Sequence, residues 1–214
     1  ASAHAGLGQL TSNGPYGAGC VPALVVAPGA PTTVYAGTCA GIFKSATGGG
    51  NWTPASGDLP NTAVTSLTVD PQTPTTLYAV TQDGLFKSLD GGGHWTSTNL
   101  GGVTILAVDP THTNTLYAGT FGGVFKSTDG GASWKAANIS LPSGQVYAFA
   151  VDPGNPSVVY VATQFGVFKS TNAAASWNPS STGLPDPYIY SLAMDTHTPT
   201  TLYAGTGGSG VYKS

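Results

Sequence analysis

Between Ser66 and Asn99, apolar and polar residues alternate in short bursts divided by Gly, Pro, Asp and Asn. "SLTVD" predicts a first strand, "PQTPT" a proline turn, "TLYAV" a second strand and "TQDG" a glycine turn. "LFKS" predicts a third strand, "LDGGG" a tight turn and "HWTST" a fourth strand. The runs are rich in β-branched and aromatic residues, and no stretch of the chain sustains a helical period. The pattern therefore predicts an all-β chain in which the 31 glycines and 16 prolines are turn residues.

The same unit recurs. "GVFKSTDGGASW" at Gly123–Trp134 has near-copies at Gly41–Trp52, Gly84–Trp95 and Gly166–Trp177, and the chain closes on "GVYKS". Trp52, Trp95, Trp134 and Trp177 are 43, 39 and 43 residues apart, a period that suits one four-stranded propeller blade per repeat. Units beginning near Ala23, Ser66, Leu106, Ala148 and Ser191 predict a single domain over residues 1–214, a five-bladed β-propeller. The last unit stops after its third strand. "SAHAGLGQLTS" at the start places Ser2, His4 and Gly6 at turn spacing and Gln9 at the Trp position. Residues 1–13 are accordingly expected to supply the outer strand of the last blade and close the ring.

The phrase Ser-x-Asp-Gly-Gly-x-x-Trp resembles the Asp-box of the bacterial neuraminidase-type (BNR) repeat propellers. The longer unit, "VDP…P.TLYAGT..GVFKSTDGG.SW", is similar to repeats of that superfamily, which includes sialidases and xyloglucanase-like glycosidases. The resemblance implies that the turn is structural and lies on the face opposite the active site. The physics agrees: a short Asp or Ser side chain accepts N–H bonds from its own turn, Gly permits positive φ, and Trp fills the blade interior. Asp90 and Asp129 fit the phrase, with Thr47 and Asn172 standing in elsewhere.

Composition narrows the function classes. Charged residues are 7% of the chain and the formal net charge is −3, with neither arginine nor glutamate present. That leaves no basic footprint for nucleic acid. No apolar run approaches the roughly 20 residues of a membrane-spanning helix, and the first residues lack the regions of a signal peptide. Cys20 precedes the first strand of the first unit and Cys39 follows its second, neighbouring points of an antiparallel pair, so a disulfide is expected. A disulfide and low charge imply a secreted, extracellular or periplasmic chain. Asn51-Trp-Thr and Asn138-Ile-Ser match the glycosylation sequon.

Candidate chemistry is expected where the repeats differ. One face repeats its aspartates at Asp70, Asp109, Asp152 and Asp195, which read as turn-holding residues. The other face varies in the turns after Thr38, Thr81, Thr120, Thr163 and Thr206 and in the segments leading into each inner strand. It offers Gln82, Asp83, Phe121, Gln164, Phe165, Asp186, Tyr188 and Tyr190 as candidate ligand-binding residues. Flat rings and planar amides or acids suit the C–H face and paired hydroxyls of a sugar.

The sialidase activity that the resemblance brings to mind needs an arginine triad, which this chain lacks. A neutral-sugar glycosidase needs two carboxyl groups about 5–9.5 Å apart, and only Asp58, Asp83 and Asp186 are weak catalytic candidates. The histidines are too scattered for a triad or a zinc site, and no cofactor or metal is implied. The expectation is a non-catalytic binding module for neutral carbohydrate. The alternatives are a self-associating structural protein and, after it, a glycoside hydrolase.

Overall fold

The structure, a computed structural model, describes residues 14–60 and 63–214. Among these residues no helix forms, and the strands gather into five antiparallel sheets. The first holds β1 (Ala23–Val26), β2 (Val34–Thr38), β3 (Gly41–Ser45) and β4 (Thr53–Pro54) in sequential order. The second holds β5 (Val64–Val69), β6 (Leu77–Thr81), β7 (Gly84–Ser88) and β8 (Thr96–Ser97). The third holds β9 (Val103–Val108), β10 (Leu116–Thr120), β11 (Gly123–Ser127) and β12 (Lys135–Ala136). The fourth holds β13 (Val146–Val151), β14 (Val159–Thr163), β15 (Gly166–Ser170) and β16 (Asn178–Pro179). The fifth has β17 (Ile189–Met194), β18 (Leu202–Thr206) and β19 (Val211–Lys213).

Four units start two or three residues earlier than expected, at Val64, Val103, Val146 and Ile189. A register shift follows each of these residues, or faces it across the pair, so that one extra residue is accommodated. The bulge breaks the alternation that a sequence reader follows. The residue before it is still an anchor, since Val64, Val146 and Ile189 are fully buried. The fourth strands are only two residues long, shorter than "HWTST" suggests.

The core lies between sheets rather than within one. Tyr35 and Ile42 of the first sheet pack with Val64, Leu67, Leu77 and Trp95 of the second. Tyr78, Val80 and Leu85 meet Val103, Leu106 and Leu116 in the same manner at the next seam. Tyr117 and Val124 then meet Val146, Val159 and Trp177, and Val167 meets Ile189 and Leu202. The inner strands β1, β5, β9, β13 and β17 pack in that order. Among the described residues, no strand pair of comparable extent returns from the fifth sheet to the first. The expected closing strand, Ser2–Asn13, lies outside the described residues.

One polar device recurs at the seams. Each sheet places a lysine over a tyrosine ring: Lys44 on Tyr35, Lys87 on Tyr78, Lys126 on Tyr117, Lys169 on Tyr160 and Lys213 on Tyr203, at 5.1–5.9 Å. Lys87 Nζ donates to the Gly130 carbonyl of the following sheet at 2.8 Å, and Lys126 Nζ to the Ala173 carbonyl at 2.8 Å. Burial pushes the Tyr78 and Tyr117 hydroxyls up to about 12, helped by the charges of Asp70 and Asp109. Desolvation draws the Lys126 ammonium downward.

The turns that receive these lysines share one hydrogen-bond plan. Ser88 Oγ donates to Asp90 Oδ1 at 2.9 Å and accepts the Gly92 N–H, while Asp90 Oδ1 accepts the His94 N–H at 2.9 Å. Ser127, Asp129, Gly131 and Ser133 repeat the pattern, and so do Ser170, Asn172, Ala174 and Ser176. Asp70, Asp109, Asp152 and Asp195 each accept two backbone N–H groups of their own proline-type turn. The side-chain bond from His94 holds the Asp90 carboxyl well below the ordinary range, and Asp90 in turn raises His94. The hydroxyl of Ser133 and its backbone N–H hold Asp129 at about 2.

A depressed carboxyl stabilises the fold above its ordinary pKa of 3.8 and loses that contribution as the pH falls toward about 2. Asp129→Asn copies the natural Asn172 turn and removes the titration. The variant is expected to melt close to the parent at neutral pH. Its melting temperature should fall less steeply on acidification below the ordinary carboxyl range, as measured by circular dichroism. Parallel acid profiles would contradict this account of the turn.

Candidate functional site

The face opposite those turns is built by a threonine at the end of each second strand. Thr38, Thr81, Thr120 and Thr163 each donate through Oγ1 to a glycine carbonyl three residues on, at 2.8–3.2 Å. The same oxygen accepts the N–H two residues on, at 3.0–3.1 Å. Thr206 does the same across a turn one residue longer, with Gly210 and Ser209 as partners. The hydroxyl closes the turn without using the two side chains at its tip. Those positions read Cys39-Ala40, Gln82-Asp83, Phe121-Gly122 and Gln164-Phe165.

Gln82, Asp83 and Phe121 are accordingly exposed on the second and third sheets, Phe121 to 65%. On the fourth sheet, Gln164 and the Phe165 ring lie close against Gly144, where a Cβ would stand 2.9 Å from each. On the fifth, Asp186 Oδ1 accepts the Tyr188 N–H at 2.9 Å and Oδ2 accepts the Gly208 N–H at 3.0 Å. The carboxylate thereby ties the segment leading into β17 to the turn after β18, and Gly207 N–H completes the tie by donating to the Tyr188 carbonyl at 2.9 Å. Tyr190 meets Tyr147 edge to face with ring centroids 4.9 Å apart. Tyr188 and Tyr190 remain 50% and 53% exposed.

The structure thus gathers Asp186, Tyr188, Tyr190 and Tyr147 in one cluster, with Gln164 and Phe165 on the adjoining sheet and Gln82, Asp83 and Phe121 in the equivalent turns beyond. Beneath the tyrosine pair, an open groove of about 310 Å³ runs along the inner strands past Ile105, Phe149 and Leu192. Larger grooves of about 420 and 390 Å³ lie at the seams of the opposite face, lined by Lys126 and the Asn172 turn and by Lys87 and the Asp129 turn. Their walls are the repeated turn atoms, so they belong to the architecture.

Asp58 stands apart from this cluster. It accepts the Trp95 backbone N–H at 2.7 Å, a turn-holding bond across the first seam that nothing in the local sequence signals. Among the described residues, no group of three or more His, Cys, Asp or Glu is placed to hold a metal ion. The threonine clasp and the Asp186–Gly208 tie escaped the sequence reading. The recurrence of Thr at each strand end was the available signal for the first, whereas the second joins residues 22 apart in unlike loops.

Cys20 and Cys39 form a disulfide with Cα atoms 5.3 Å apart, and Cys39 N–H donates to the Cys20 carbonyl. The bridge fixes the tip of the first threonine turn to the segment preceding β1.

The chain belongs to the DUF6242 beta propeller domain family, which it matches over residues 24–214. No curated protein matches it by sequence. Among solved structures it is similar to an ancestral GH74 enzyme, with 26% identity and a TM-score of 0.76 over 87% of this chain and 27% of that one. It is also similar to the GH74 xyloglucanase from Xanthomonas campestris, with 17% identity and a TM-score of 0.72 over 89% of this chain and 36% of that one. A third is the extracellular domain of the one-component system BT4673 from B. thetaiotaomicron, with 18% identity and a TM-score of 0.71 over 91% and 27% of the two chains. The chain therefore spans between a quarter and two fifths of these relatives. The latter two likenesses show the β-propeller fold alone.

The disulfide closes a span of 19 residues, which the chain-entropy estimate values at about 3 kcal/mol. Cys20→Ala/Cys39→Ala is expected to shift the denaturant midpoint down by that order, and native intact-mass analysis under alkylation should find no free thiol. Labelling of both cysteines in the native parent would contradict the bridge.

Proposed function

We propose that this member of the DUF6242 beta propeller domain family is a non-catalytic, extracellular binding module that recognises neutral carbohydrate through its threonine-turn face. The observation that carries the proposal is the cluster on the fifth sheet. Tyr188 and Tyr190 stand half exposed, Tyr147 braces Tyr190 from the side, and Asp186 is held by two backbone N–H groups. Exposed rings on a rigid support offer stacking surface with little ordering cost on binding. Gln164, Gln82 and Asp83 add planar hydrogen-bonding groups that suit vicinal hydroxyls. The near absence of charge favours a neutral ligand over an ionic one.

Several features support a binding role over hydrolysis. Both Asp186 oxygens accept backbone bonds, Asp58 is bound to Trp95, and Asp83 lies three sheets from Asp186. The Ser-x-Asp turns, repeated with one bonding plan, support kinship with the Asp-box propellers, in which that face is structural. The disulfide and the likeness to the extracellular domain of a one-component system support an extracellular location.

Titration calorimetry with xyloglucan and cello-oligosaccharides tests the reading. Tyr190→Ala is expected to weaken binding about tenfold, or 1.4 kcal/mol, at an unchanged melting temperature. Asp83→Asn should weaken it less, and added salt should change it little. Trp177→Ala, which empties a fully buried site, should instead cost stability, about 3–5 kcal/mol. Absence of binding to every neutral oligosaccharide, or affinity that survives all changes on this face, would overturn the proposal.

A further inference from the structure

The two ends of the sheet array carry the two halves of the interface that joins its interior sheets. At each internal seam, the forward half presents a Tyr–Lys pair and a β-branched or leucine side chain from the third strand. Ile42, Leu85, Val124 and Val167 fill that last position and are at most 2% exposed. Val211 holds the same register in the fifth sheet, opposite Gly205 as Ile42 is opposite Gly37, yet it is 75% exposed. Tyr203, the partner of Lys213, is 38% exposed, whereas Tyr35, Tyr78 and Tyr117 are at most 1% and Tyr160 is partly buried.

The rear half is bare on the first sheet. Leu24 and Val26 are 66% and 54% exposed, while Leu67 and Val69, their counterparts on the second sheet, are each 8%. Val21 is 47% exposed, while Val64, at the same place in the next unit, is fully buried above Gly37. The turn carbonyl that receives the lysine also has a counterpart there. Gly91 and Gly130 are buried beneath Tyr35 and Lys44 and beneath Tyr78 and Lys87. Gly48 has the same left-handed backbone, at φ 66° against 75° and 68°, but stands exposed with open space above it.

We infer that the fifth sheet of one copy of this chain packs onto the first sheet of a second copy, repeating the internal seam between molecules. Val211 and Tyr203 cover Leu24 and Val26 of the second copy, whose Val21 seats over Gly205. Lys213 donates to the Gly48 carbonyl of that copy as Lys87 donates to Gly130 within the chain. A second copy is the occupant because the contact continues the apolar seam that each sheet already makes with the next, third-strand aliphatic and tyrosine side chains against inner-strand aliphatics. The two surfaces differ, so the contact is head to tail, and each copy keeps one free half for the next. This association is independent of the carbohydrate reading and uses none of its residues.

Sedimentation velocity of the whole chain from micromolar to near-millimolar concentration tests the inference. The parent should form dimers and longer species as concentration rises. Val211→Asp and Leu24→Asp, each at a well-exposed position, should fold with the parent's melting temperature and weaken self-association at least about tenfold by placing a charge in an apolar seam. Mixed together, the two variants retain one intact half each and should recover a dimer, but nothing longer. A parent that stays monomeric throughout would overturn the inference, because the chain would then cover or tolerate these faces alone. So would variants that associate as the parent does, or a mixture that stays monomeric.

Discussion

A small antiparallel sheet with two apolar faces cannot stand alone, and everything else in this molecule depends on how each sheet is fastened to the next. The fastening is apolar packing around a tyrosine with a lysine laid across its ring, and at the second and third seams that ammonium also reaches a turn carbonyl in the following sheet. Five of the six lysines of the chain occupy this one position. The Lys126 ammonium is partly desolvated there, and the ring, the carbonyl and the charge of Asp109 compensate. That arrangement lets the chain hold its seams with very few charges. The turn residue that receives the lysine has a left-handed backbone, at φ 68° in Gly130 and 54° in Ala173.

This fastening separates the two faces of the array. On one, the lysines, the Ser-x-Asp turns and the proline-type turns meet, and a bonded side chain there can change only if it preserves the bonds of its turn. Asn172 replaces Asp there because its Oδ1 accepts the same N–H. On the other face a buried threonine closes each turn with its own hydroxyl. Outside the first turn, where Cys39 is bridged to Cys20, the two residues at the tip are not needed for that closure and are free to differ. Recognition chemistry can collect on that face without loosening the fold.

The strand runs, the proline turns, the repeat and the cysteine pair are legible in the sequence because each is a local pattern or a fixed spacing. What pairs across a seam is not. Lys87 finds Gly130 43 residues away, Tyr78 reaches the same carbonyl over 52, and Asp58 meets Trp95 over 37. Each of these residues has an equally good local reading. The inner strands begin early because a bulge hides Val64, Val146 and Ile189 from the alternation. At the candidate site, counting strands is enough to place Gln82, Asp83, Phe121, Gln164 and Phe165 on one face. The tie between Asp186 and Gly208, and the edge-to-face contact of Tyr147 with Tyr190, depend on how two loops of different length meet.

The central claim is that one face holds the sheets together while the other is kept for recognition. Hydrogen exchange with and without a saturating neutral oligosaccharide tests it most directly, because it reads every turn of both faces in one experiment. The account predicts slowed exchange at the threonine turns and around Tyr188–Tyr190, with the Ser-x-Asp turns unchanged. Protection confined to the Ser-x-Asp turns and their seam grooves would contradict it.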